Sequence, residues 1–154
     1  MRLIAAILIA ALCVASTPAA AQDTGPRALL PDSMRWAQIP TLLPGGEVTV
    51  LAGRMSEAGP YAFRVRFPPG FRVMPHTHPD DRVYTVISGT WFIGIGEQFD
   101  STGVTGYPAG TVYLLPAGTP HYHLARDGAS TAQVNAVGPT ATDYVRQEDD
   151  PRKR

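Results

Sequence analysis

The stretch Gly70-Phe71-Arg72-Val73-Met74-Pro75-His76-Thr77-His78-Pro79-Asp80-Asp81-Arg82-Val83-Tyr84-Thr85-Val86-Ile87-Ser88-Gly89 decides how this chain is read. It is strand-like and closed by Gly and Pro, and it carries two histidines two residues apart. In an extended strand such residues project to the same face, so His76 and His78 can share one space. An echo follows downstream. Phe67-Pro68-Pro69-Gly70 leads into His76-Thr77-His78, and Leu115-Pro116-Ala117-Gly118 leads into His121-Tyr122-His123. The two His-x-His pairs hold all 4 histidines of the chain. If the strands carrying them face one another, as two related hairpins would, the rings converge. A cluster of imidazoles without thiolates suits one divalent transition metal, Fe, Mn, Ni, Zn or Cu, rather than Ca or Mg. The plainer alternative is a pair of half-buried strands whose rings are merely hydrogen-bonded.

Outward from this stretch the pattern stays at period two or breaks into short apolar runs, each ended by Gly or Pro. Strands are expected at residues 47–52, 61–67, 83–87, 90–95, 111–115, around His121 and at 131–137. With 15 Gly and 15 Pro, no long helix is expected among them, and closely spaced strands indicate a sandwich or barrel. Ser88-Gly89 joins two strands so tightly that a hairpin is expected there. Gly94 and Gly96 are placed to kink a strand at a barrel corner.

The N-terminus has the form of an export signal. Met1-Arg2 precedes an apolar run, Leu3 to Ala15, and Ala19 and Ala21 satisfy the small-x-small rule for cleavage after Ala21. The run is too short for a comfortable membrane span. Leu12 stands before Cys13 where a lipid-attachment signal wants a small residue. Cleavage would leave residues 22–154 without cysteine, so disulfides would play no part, and a bacterial periplasmic or secreted location is expected. Loss of Arg2 takes the 13 basic residues to 12 against 13 acidic ones. That balance offers nucleic acid no basic stripe, and no membrane association is expected after cleavage. The expected organisation is a leader at 1–21, an arm at 22–35, a single barrel domain at 36–138 and a solvated charged tail at 139–154.

The spacing of these residues resembles the cupin superfamily. Its first motif is matched by Gly70, His76, His78 and Gly89, with Arg82 where a Glu belongs; its second is matched by Gly110, Pro116, Gly118 and His121, with Ala125 where an Asn belongs. The resemblance covers about Trp36 to about Val137. It implies an all-β fold, a single antiparallel jelly-roll (cupin) barrel with a metal or ligand in its mouth, and it assigns His76, His78 and His121 as metal ligands. It does not imply one activity, because the scaffold hosts dioxygenases, isomerases, decarboxylases, lyases, storage proteins and non-enzymatic binders.

Arg82 is the departure with consequences. A guanidinium has no lone pair to give a cation, so either His123 completes a four-His set or Asp80 or Asp81 swings in from the loop. Arg82 itself could point inward, since positions 82, 84 and 86 share a strand face, and clamp an anionic ligand; it could equally pair with Asp80 or Asp81 at the rim. Tyr84 and Tyr113 are candidate substrate contacts that would serve as well for packing. Two functions follow. One is a metal-dependent cupin-type protein that binds or transforms a small molecule; the other is a metal-free binding or sensing cupin without catalysis. A cupin that self-associates through an apolar sheet face, as in a homodimer, is a third. If imidazoles are the ligands, metal should be lost as they protonate near their unperturbed pKa of about 6.5.

Overall fold

The computed structural model describes residues 25–154. The leader and cleavage site at 1–21 lie outside the described residues. Among the described residues, ten strands form two antiparallel five-stranded sheets. One is ordered β1 (Glu47–Ala52), β2 (Gly59–Phe67), β9 (Ser130–Gly138), β4 (Arg82–Ser88), β7 (Val112–Leu115); the other β10 (Asp143–Tyr144), β3 (Arg72–Thr77), β8 (His121–Leu124), β5 (Thr90–Ile95), β6 (Thr105–Pro108). All seven expected strands are present, and β3, β6 and β10 add to them.

The sheets close face to face over an apolar inner side, which β2, β9 and β4 build by period-two alternation while β5 and β8 of the other sheet are buried almost throughout. From β2 come Tyr61, Phe63, Val65 and Phe67, from β9 Ala132 and Val134, from β4 Tyr84 and Val86, all buried. Phe67 stacks between Phe71 and Trp91 at centroid distances of 4.8 and 4.9 Å. Burying each such side chain contributes about 2 kcal/mol.

Two expectations are corrected here. Ser88-Gly89 is not a hairpin: β4 pairs with β9 and β7 while β5 pairs with β8 and β6, so the connection steps from one sheet to the other. Gly89 permits the corner, with φ +69° and the Ala129 carbonyl standing 2.3 Å from where a Cβ would be. Likewise β3 and β8 do not face each other from opposite walls. They are antiparallel neighbours in one sheet, with His76 opposite His121.

The charged C-terminal segment also differs from a solvated tail. Tyr144 pairs with His76 in the β10–β3 ladder, and its hydroxyl donates to the Thr41 carbonyl at 2.8 Å. Asp150 is buried, held by Arg152 at 2.8 Å. Most charged side chains around that pair, Arg146, Glu148, Lys153 and Arg154 among them, stay exposed, so only part of the segment leaves the solvent. No helix among the described residues is long and apolar enough to cross a membrane.

Candidate metal centre

A bulge aims the first histidine pair. Along β3 the step from Val73 to His76 is three residues, but their partners on β8, His123 and His121, are two apart. One extra residue in the Met74-Pro75 segment therefore shifts the pleat. Strict alternation from buried Val73 would have put positions 75 and 77 inside; with the bulge Pro75 and His76 are both buried, Thr77 is not, and His78 follows His76 inward. Proline is tolerated there because a bulge has a ladder hydrogen bond to spare.

His76, His78 and His121 each offer a ligand atom, and these atoms lie within 4.8 Å of one another. All three rings are buried. Each fixes its tautomer on a backbone carbonyl: Nδ1 of His76 donates to Met74 at 2.8 Å, that of His78 to Ala141 at 2.7 Å, and that of His121 to Thr119 at 2.9 Å. Nε2 is then the lone-pair nitrogen of every ring. His121 Nε2 is buried without a hydrogen-bond partner. Three neutral, pre-oriented imidazoles with one orphaned acceptor fit a transition-metal ion, the carbonyls serving as the outer partners that orient ligating histidines. Ala141, which orients His78, was not a sequence candidate, and nothing local in Thr140-Ala141 could have marked it.

Burial, first of all, holds these imidazoles neutral. It lowers His76 well below the ordinary value, with the nearby His121 adding to it. Burial and then the Arg82 charge lower His78, and burial brings His121 down to about 4. His123 is lowered well below the ordinary value in the same way. It is not among the three whose ligand atoms converge; its ring lies 5.2 Å from that of His121 and 5.0 Å from Trp91.

Neither Asp80 nor Asp81 joins the histidines. Asp81 is exposed and accepts the Ala117 amide at 2.7 Å. Asp80 is buried and pairs with Arg82 Nε at 3.0 Å. Tyr61 donates to the same carboxylate at 2.6 Å, and Thr140 Oγ1 also bonds it while accepting from Arg82 Nη2 at 2.7 Å. Burial raises the Tyr61 phenol to about 12, so it stays a donor at neutral pH. Both sequence readings of Arg82 thus hold in part, for the side chain is inside the barrel and its partner is Asp80.

Arg82, Tyr84, His76, His78 and His123 line a cavity of about 430 Å³ between the sheets, whose walls are otherwise mainly apolar and aromatic. Burial raises the Tyr84 phenol, with Arg82 opposing. Tyr113 is not among the lining residues and packs on Tyr107 at 5.2 Å instead. Trp91 also lines the cavity.

Residues 63–137 match the family model described as the cupin domain. The polyketide cyclase RemF from Streptomyces resistomycificus superposes with a TM-score of 0.69 at 14% identity, over 84% of this chain and 92% of its own. KdgF from Halomonas sp. does so at 0.56 and 19%, over 78% and 95%. An oxalate oxidase, with a TM-score of 0.53 and 22% identity over 71% of this chain, is matched over only 59% of its own length. At such identities the likeness is one of fold. No curated protein matches the chain.

Proposed function

We propose that this chain, whose residues 63–137 match the cupin domain, is an exported cupin that holds one divalent transition-metal ion on His76, His78 and His121 and presents it to a small molecule in the barrel. The observation that carries this reading is the shared anchoring of the three Nδ1 atoms on carbonyls, which leaves three Nε2 lone pairs converging in a buried, neutral site. A bound ion would supply Lewis-acid or redox chemistry through positions the protein leaves open. The chain's own residues do the rest. The apolar walls exclude water, Tyr84 and Arg82 border the cavity beside the histidines, and the Asp80 carboxylate offsets the Arg82 charge that would otherwise repel a cation. Export rests on the Ala19 and Ala21 signal alone, and an intact mass beginning at Gln22 in secreted protein supports it, whereas a mass retaining Met1 defeats it.

A metal-free binder is the second reading. It is favoured by Arg82, a cation without a lone pair at the position where the family's motif has a carboxylate. Titration of metal-free protein with cobalt(II), followed by its visible absorption, separates the two. The metal reading expects saturation at one equivalent, loss of the spectrum in His78→Ala and its retention in His123→Ala. Equal loss in both variants would instead favour a four-His site, and no absorption change with the unmutated protein would favour the binder.

A further inference from the structure

The wall of the cavity contains arginines without the acids that pair with them. Arg82 and Arg152 both line it, whereas no Asp or Glu is among the described lining residues. Asp80 and Asp150 hold these arginines at 3.0 and 2.8 Å from outside the lining. Arg152 is partly exposed while Arg82 and Tyr84 are buried, so positive charge runs from the rim inward. Inside, Arg82 spends Nε on Asp80 and Nη2 on Thr140, and Nη1 is left without an acidic partner. The Tyr84 hydroxyl adjoins the guanidinium, and no protein acceptor takes its proton. Among the described residues, the unpaired side-chain atoms sealed from any space are Trp91 Nε1, His121 Nε2 and His123 Nδ1. Arg82 Nη1 and the Tyr84 hydroxyl are outside that set, so these two donors open onto the cavity.

We propose that the cavity selects a carboxylate carried on an apolar body, held by Arg82 Nη1 and the Tyr84 hydroxyl. This rests on the reading that the cavity is the ligand site, and it names the class of ligand. Two adjacent donors, one of them cationic, match the two oxygens of a planar carboxylate. The rest of the wall, with Phe63, Val65, Phe67 and Val134, is apolar and accepts the remainder of the molecule. Charge points the same way. Three neutral imidazoles bring no negative charge to a metal ion, and Asp80 is already taken by Arg82, Tyr61 and Thr140. The Arg82 charge also reaches His78, so the donor pair adjoins the proposed metal ligands and an anion held there offsets positive charge in an apolar cavity.

The test compares 2-naphthoate with 2-naphthamide, which has the same shape and no charge, by calorimetry on zinc-loaded protein and on protein stripped with a chelator. The proposal expects naphthoate to bind at least about tenfold more tightly than naphthamide in both forms, the worth of a charge-assisted hydrogen bond. Tyr84→Phe should cut that preference at least about threefold, since it removes one donor and keeps the ring. Arg82→Met combined with Asp80→Asn, which removes the ion pair without leaving a lone buried charge, should abolish it. The ratio in the unmutated protein and the effect of Tyr84→Phe carry the test if the double variant does not fold. Equal affinity of the two probes would overturn the proposal. So would a preference seen only with zinc, because the ion would then hold the carboxylate, or one unchanged by Tyr84→Phe and lost in Arg152→Gln, because the rim would hold it. A naphthoate preference in a protein that takes up no zinc would sink the metal reading and leave this one standing, whereas stoichiometric zinc without the preference would sink this one alone.

Discussion

Protons should compete with metal at this site far less than histidines in water would allow. Three independent imidazoles with the ordinary pKa of about 6.5 would lose roughly a factor of 50 in metal affinity between pH 7.5 and 6.0, about fourfold for each ligand that must give up a proton. Burial changes the arithmetic. His121 is held at about 4 and His76 and His78 are lowered as well, so at pH 6.0 nearly all of each ring is already neutral. Affinity should therefore change by no more than about twofold over that range. Calorimetric titration of metal-free protein with zinc at pH 7.5 and 6.0, in buffers that do not bind the metal, measures it. A loss approaching 50-fold would show that the rings titrate as if solvated, and the buried, pre-oriented site would be refuted.

The same shifts make the metal-free fold sensitive to acid. Below pH 6.5 the unfolded histidines take up protons that the folded ones refuse, so stability is fully present above that pH and declines as it falls towards the folded values, about 4 for His121. The expected slope, read by denaturant titration, is about 1.4 kcal/mol per pH unit for each buried histidine, and a flat profile from pH 7 to 5.5 would contradict it. Asp80→Asn should cost about 3–5 kcal/mol by leaving buried Arg82 without its counter-charge, and it should weaken zinc binding as well; an unchanged melting temperature would place the pair in solvent. Arg82→Glu, although it restores the carboxylate that the family's motif has there, should destabilise the fold by setting a second carboxylate against Asp80. Full stability together with tighter zinc binding would reverse that expectation.

The strands and the histidine site were legible because both are local. Period-two runs such as 61–67 and 131–137 state their own faces, and His-x-His spacing states that two rings share one. Partnership is not local. Whether β3 and β8 would be opposite walls or neighbours depends on sheet order, and Ser88-Gly89 has the composition of a hairpin whether it closes one or turns a corner between sheets. The bulge at Met74-Pro75 was invisible for a related reason, since it exists only relative to the partner strand. Asp143-Tyr144 is too short to show alternation, and the charges after it resemble a solvated tail until Asp150 and Arg152 are seen to pair. Arg82 stood out as a departure in the motif, yet its fate was set by Thr140 and Tyr61, which are distant in sequence.

Elemental analysis of the unmutated protein, purified without added metal or chelator and measured beside His78→Ala, addresses the central claim most directly. About one transition-metal ion per chain in the unmutated protein, and close to none in His78→Ala, is the result the three anchored imidazoles predict. A folded, unmutated protein that carries only trace metal and takes up none when zinc is supplied would contradict it.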